Sequence, residues 1–121
     1  MKKILIVDDE KDLRDELGGF LQENQFEVRE AQNGLDAFRV LDSYAPDLII
    51  LDIAMPEMDG FEFLERQKND DRYAPIPVII LTVKSERKNI EKGISLHAEF
   101  YLPKPFSGDD LMQYIRMILG E

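Results

Sequence analysis

Five residues of this 121-residue chain share both a useful chemistry and a position. Asp8, Asp9, Asp52, Thr82 and Lys104 each stand at or just past the end of a short apolar run. Three carboxylates brought to one edge of a sheet repel one another in a partly desolvated cleft. A hard divalent cation relieves that repulsion, and Mg²⁺ favours a few carboxylates plus waters. The Thr82 hydroxyl and the Lys104 ammonium are unusual Mg²⁺ ligands, but both suit the oxygens of a phosphoryl group. Asp52 then reads as a carboxylate nucleophile able to form an acyl phosphate. Taken one at a time, each residue has an ordinary structural reading. Asp8-Asp9 could simply start a helix, Thr82 could sit in a turn, and Lys104 could be solvated. Their coincidence on four strand ends favours the chemical reading.

The elements that position them alternate along the whole chain. Lys3-Ile4-Leu5-Ile6-Val7, Asp47-Leu48-Ile49-Ile50-Leu51-Asp52 and Pro77-Val78-Ile79-Ile80-Leu81-Thr82 are the aliphatic runs of strands buried on both faces. Weaker strands fit around Val28 and around Phe100-Tyr101-Leu102. Between them, Leu13, Leu17, Phe20 and Leu21 mark one face of a helix, and Leu35, Phe38 and Leu41 a second helix capped by Asn33. Phe61 and Leu64 mark a short third, and Ile90 and Ile94 a fourth that starts at Ser85. Leu111, Tyr114, Ile115 and Ile118 mark a fifth capped by Ser107. Five βα units of this kind imply a doubly wound α/β fold: a five-stranded parallel sheet with right-handed crossovers and helices on both faces. In such sheets the site lies beyond the carboxyl ends of the strands, which is where the five residues fall.

Composition narrows the chemistry further. With 15 Lys and Arg against 25 Asp and Glu, the net charge is −10, so the domain by itself is a poor holder of nucleic-acid phosphates or an anionic membrane. The absence of cysteine excludes disulfides, thiolate zinc sites and a thiol nucleophile, and the single histidine, His97, excludes a His-based metal cluster. Met1-Lys2-Lys3 is followed by too short an apolar stretch for a signal peptide or membrane span, so a cytoplasmic protein is expected.

These motifs carry a resemblance. Ile6-Val7-Asp8-Asp9-Glu10, Leu51-Asp52-Ile53-Ala54-Met55-Pro56-Glu57-Met58-Asp59-Gly60, Leu81-Thr82 and Tyr101-Leu102-Pro103-Lys104-Pro105-Phe106 closely resemble bacterial two-component response-regulator receiver domains, over essentially the whole chain. The resemblance implies the flavodoxin-like strand order 2-1-3-4-5. It also implies that Asp52 is the phosphoacceptor in a phosphorelay, taking its phosphoryl group from a sensor histidine kinase or histidine phosphotransfer protein. Asp9 and Asp52 would hold Mg²⁺ directly together with the backbone carbonyl of Ala54, and Asp8 would act mainly through water. Thr82 and Lys104 would bind phosphoryl oxygens, and Lys104-Pro105 would be a cis peptide. Pro56 and Gly60 would shape the loop after Asp52. Thr82 moving toward the phosphoryl group would vacate space for Tyr101, altering the face of the fourth helix, fifth strand and fifth helix for partner binding. The chain would then be a signalling phosphoacceptor that assists its own phosphorylation and dephosphorylation, not an enzyme with a separate substrate. A phosphorylation-dependent dimer is compatible with this.

Several positions tune or depart from the pattern. Ala54 and Lys84, two residues after Asp52 and Thr82, are expected to set the acyl-phosphate lifetime. Val83 either narrows access to the site or simply packs. His97 stands where the family usually has glycine, at a left-handed helix end. Gly18-Gly19 lies inside the first helix, with Gly19 away from the core, and the two glycines are expected to allow close approach of a phosphodonor helix. Lys84, Arg87, Lys88 and Lys92 form a basic run on the expected output face.

Rival readings fare worse. A phosphatase of the haloacid dehalogenase type needs a second Asp two residues after the nucleophile, where Ala54 stands. A nucleotide binder wants a Gly/Ser/Thr-rich loop after the first strand, and Asp8-Asp9-Glu10 is its electrostatic opposite. A receiver-type interaction module independent of phosphorylation remains the alternative, against which the full set of site residues argues. Residues 1–121 are expected to form one receiver domain without an output domain, either stand-alone or cut from a longer regulator acting through a downstream protein.

Overall fold

The aliphatic runs become strands β1 (Lys3–Val7), β2 (Glu27–Ala31), β3 (Leu48–Leu51), β4 (Val78–Thr82) and β5 (Phe100–Pro103). They alternate with helices α1 (Lys11–Glu23), α2 (Gly34–Leu41), α3 (Gly60–Lys68), α4 (Arg87–Ser95) and α5 (Gly108–Leu119). The structure, a computed structural model, describes residues 1–55 and 58–120, so Pro56 lies outside the described residues. The five strands are all parallel, in the order β2-β1-β3-β4-β5. This is the doubly wound architecture expected from the sequence, and its strand order reverses between β1 and β3.

Period-two alternation along the strands divides the core into two layers. Leu5, Val7, Ile49, Leu51 and Ile80 face Ala37, Leu41, Phe63 and Leu64, beneath α2 and α3. Ile4, Ile6, Leu48, Ile50, Ile79 and Leu81 face Leu21, Leu111, Met112 and Ile115, beneath α1 and α5. All four residues of β3 are buried, which explains why its sequence is continuous apolar rather than alternating.

Helix ends follow local chemistry. Asn33 and Ser107 cap α2 and α5 by accepting the backbone N–H of Asp36 and Asp110, and Asp59 caps α3 through the N–H of Glu62. α4 begins at Arg87 and not at Ser85, a correction to the sequence expectation. The Lys84 N–H donates to the Thr82 hydroxyl and the Lys84 carbonyl accepts from Tyr101, holding the chain extended past β4. α4 ends in a Schellman motif: the N–H of His97 reaches the carbonyl of Ile94 and that of Ala98 reaches Gly93. His97 therefore carries the left-handed backbone (φ 74°) expected at this position. Gln25 does the same after α1 (φ 72°), where no glycine marked the turn.

Gly18 corrects another expectation. It is buried, with its Cα face toward Val28 and Ile6, while Gly19 has open space around it. Only Gly19 belongs to the outer surface of α1.

Candidate functional site

Backbone bonds carry the parallel ladder one step past the strands and bring the site residues together. The Asp52 N–H donates to the Val7 carbonyl at 2.9 Å, the Asp8 N–H to Ala31 at 3.1 Å, and the Lys104 N–H to Thr82 at 2.7 Å. Val7 pairs with Leu51 and Thr82 with Pro103, so the residues immediately beyond them are neighbours at one edge. Parallel register, not proximity in sequence, thus assembles Asp8, Asp52, Thr82 and Lys104.

Asp8 and Asp52 are each only 6% exposed, Thr82 is fully buried, and Asp9 is exposed. Carboxylate oxygens of Asp8, Asp9 and Asp52 lie within 4.8 Å of one another. The Lys104 ammonium stands 3.1 Å from Asp8 Oδ2 and 3.9 Å from Asp52 Oδ2. Asp8 Oδ1 accepts the N–H of Glu10 at 3.0 Å, so Asp8 also supports the turn into α1. The structural and chemical readings of Asp8 are therefore compatible. Asp52 Oδ1 accepts the N–H of Ala54 at 3.0 Å. Burial pushes the Asp52 carboxyl above its ordinary pKa, opposed by the Ala54 N–H, the Thr82 hydroxyl and Lys104, while the Asp8 charge adds to the rise. A carboxylate held this way gains from any further positive charge.

The donor set fits a small hard cation. All three side chains offer oxygen, and one of them opens to solvent, where waters can complete a shell. Oxygens within 4.8 Å of one another lie close to the spread of ligands around one ion with metal–oxygen distances of about 2.1 Å. Lys104 supplies a positive charge beside the same cluster.

Beside these residues, Gly60 closes on the loop after Asp52. Its N–H donates to the Ile53 carbonyl, and a Cβ there would lie 2.4 Å from Ile53 Cα and 2.6 Å from the Asp52 carbonyl oxygen. Only glycine permits this approach. The Lys104–Pro105 peptide is cis, as the resemblance implies.

Tyr101 is half-buried in β5, where its ring rests on Gly93 of α4. Its hydroxyl donates to the Lys84 carbonyl. Burial, then the charge of Asp52, pushes its phenol up to about 12. Lys84 connects the two sequence-nominated switch residues, because its N–H bonds Thr82 and its carbonyl bonds Tyr101.

Val83 is 66% exposed, so simple packing does not account for it. It stands with Leu13, Leu17, Phe20, Pro105 and Phe106 along a groove of about 600 Å³ that runs from Asp8 and Lys104 over α1. In the basic run on α4, Glu91 pairs with Arg87 and Glu86 with Lys88, while Lys92 lies over the Phe61 ring. Sequence reasoning missed Arg14, whose guanidinium donates to the Asp8 carbonyl. Its signal was an arginine on α1 six residues after the first acidic residue.

A doubly wound parallel sheet thus carries an acidic, lysine-containing cleft at its strand-order reversal, a place suited to a cation and an anionic group together. The chain belongs to the response regulator receiver domain family, whose model matches residues 4–116. It is 38% identical over 118 residues to the phosphate regulon transcriptional regulatory protein PhoB of Pseudomonas aeruginosa, covering 98% of this chain and 52% of that protein. It is also 38% identical over 116 residues to the probable transcriptional regulator ycf29 of Porphyra purpurea, covering 96% of this chain and 56% of that protein. The chain thus spans about half the length of these curated relatives. Among solved structures, the chemotaxis protein CheY4 of Vibrio cholerae matches with a TM-score of 0.90 at 30% identity, covering 98% of both chains. A receiver domain of a signal transduction histidine kinase from Syntrophus aciditrophicus matches with a TM-score of 0.92 at 32% identity, covering 99% of this chain and 91% of that one. The chain is accordingly a receiver domain of two-component signalling. Among its described residues, no helix is long and apolar enough to cross a membrane.

Proposed function

We propose that this chain receives a phosphoryl group on the Asp52 carboxylate from the phosphohistidine of a sensor kinase or phosphotransfer protein in the cytoplasm. One Asp52 oxygen forms the new O–P bond while the P–N bond to the donor imidazole breaks, and the imidazole leaves with the electron pair of that bond. The observation that carries this reading is a buried Asp52 whose carboxylate meets those of Asp8 and Asp9 and the Lys104 ammonium. Asp9 and Asp52, with the Ala54 carbonyl, would hold Mg²⁺, and Asp8 would act through water. Mg²⁺ when bound supplies positive charge against the developing charge on the phosphoryl oxygens. Lys104 adds its own charge there and orients the group, and the Thr82 hydroxyl donates to a phosphoryl oxygen. The cleft is already shaped before the donor arrives, so the receiver contributes much of the catalysis itself.

Movement of Thr82 toward the phosphoryl group would break its bond from the Lys84 N–H. Because the Lys84 carbonyl holds the Tyr101 hydroxyl, the same movement loosens Tyr101 and shifts the balance between two arrangements of the α4-β5-α5 face. A downstream protein or an output domain would read that face. The groove over α1, with Gly19 on its outer helix surface, suits a phosphodonor helix. Residues 1–121 act as one receiver unit, and Ala54 and Lys84 set how long the acyl phosphate lasts. An Ala54→Asn variant is expected to have a changed half-life.

Incubation with acetyl phosphate and Mg²⁺, read by intact mass, tests the central claim. The parent should gain one phosphoryl group, and Asp52→Asn should gain none. Absence of an adduct on the parent, with a cognate kinase failing as well, would overturn the reading in favour of a phosphorylation-independent interaction module.

A further inference from the structure

Arg14 stands one turn into α1, its side chain only 14% exposed. Its Nη1 donates to the backbone carbonyl of Asp8 at 2.8 Å, and its Nε donates to Glu30 Oε1 at 3.0 Å. The guanidinium thus ties the peptide between Asp8 and Asp9 to α1 and to the end of β2. A cation held beside an acidic cluster is attracted to it but opposes any further cation bound there. Glu30 offsets that charge, and the two-bond geometry uses the planar fork that arginine has and lysine lacks.

What the clamp holds matters more than its charge. The Asp8 carboxylate has anchors of its own, the Glu10 N–H on Oδ1 and Lys104 on Oδ2. Among the described residues the Asp9 carboxylate has neither a hydrogen bond nor an ion pair, so its direction depends on the backbone that carries it. That backbone begins with the Asp8–Asp9 peptide, whose carbonyl Arg14 fixes.

Resting on the reading of Asp8, Asp9 and Asp52 as the Mg²⁺ carboxylates, we propose that Arg14 is a positioning residue that holds the Asp8–Asp9 peptide so that Asp9 is aimed at the metal before it binds. Charge and positioning then predict opposite signs. If charge dominates, removing the guanidinium strengthens Mg²⁺ binding. If positioning dominates, removal weakens it, because Asp9 must be ordered at the moment of binding.

The test is a MgCl₂ titration of the full chain followed by amide chemical shifts, with no phosphodonor present. Arg14→Met keeps the apolar stem and removes every donor. Its Mg²⁺ dissociation constant should rise about tenfold, the scale on which partners of metal ligands act. Arg14→Lys keeps the charge and one donor and should rise less. Thermal unfolding in excess EDTA separates general destabilisation from loss of metal affinity. An Arg14→Met affinity equal to or tighter than the parent's overturns the proposal. Should Arg14→Met not fold, an unchanged affinity in Arg14→Lys overturns it equally. A parent that binds no Mg²⁺ would instead defeat the underlying reading of the site, and this inference with it.

Discussion

The two edges of the sheet use the same residue types for opposite ends. At the amino edge, the Lys3 N–H donates to the Asp47 carboxylate at 2.8 Å, and the Val78 N–H to the Glu99 carboxylate at 2.7 Å. Lys68 reaches Glu99 at 3.5 Å and also donates to the carbonyls of Ala74 and Ile76. At the carboxyl edge, Asp8 and Asp52 each take one local turn N–H and turn the other oxygen to Lys104, with Asp9 nearby and, among the described residues, without a side-chain bond. Strand polarity explains the difference. A parallel sheet presents open N–H groups at one edge, which satisfy carboxylates, and carbonyls at the other, which cannot. Acidic residues at the amino edge are structural, whereas those at the carboxyl edge keep an unmet demand for positive charge.

Four substitutions bear on this contrast. The largest effect is expected from Gly60→Ala, whose new Cβ would press into the backbone of Asp52 and Ile53. Chemical denaturation should show a loss of about 3 kcal/mol, the upper range for overpacking, together with weaker Mg²⁺ binding. Lys104→Met removes the one cation seated between Asp8 and Asp52. Without Mg²⁺ it should lose about 2 kcal/mol of stability, less than for a fully buried pair because the cleft is open. Saturating Mg²⁺ should restore much of that loss, and a deficit indifferent to Mg²⁺ would erase the distinction between the edges. Glu99→Gln, at the amino edge, should cost about 1 kcal/mol by weakening a charged acceptor to a neutral one. Its Mg²⁺ titration should match the parent's, and any change there would mean the two edges communicate. The smallest effect belongs to Gly19→Ala, away from both edges with open space around it, which should stabilise α1 by about 0.5 to 1 kcal/mol.

Much of the fold was legible because strong periodicities agreed with local chemistry. The short, bounded aliphatic runs at Ile4–Val7, Leu48–Leu51 and Val78–Leu81 were of the kind buried in parallel strands, and Asn33 and Ser107 announced their helices. The start of α4 was not legible, because it depends on the hydrogen bond that β5 sends through Tyr101 to Lys84. Nor was the burial of Gly18, which follows from how α1 lies across Ile6 and Val28. Gln25 illustrates a third limit. Its left-handed backbone is imposed by the Schellman closure between Phe26 and Leu21, with no glycine to announce it.

The sequence by itself nominated the candidate site residues, since Asp8, Asp9, Asp52, Thr82 and Lys104 all fall at strand ends whatever the order of the strands. It also determined that the available chemistry is that of oxygen groups and lysines, because no thiol and only one imidazole are present. Tertiary structure alone decided that these ends meet. The order β2-β1-β3-β4-β5 sets Asp8 beside Asp52, and β5 brings Lys104 back to both across 96 residues of chain from Asp8. It also decided what each neighbour does, from Gly60 against the Asp52 backbone to Arg14 on the Asp8 carbonyl. The Lys104 contact joins residues far apart in the chain, and the shorter ones depend on how each loop folds back on its strand end, so side-chain period and propensity carry no record of them.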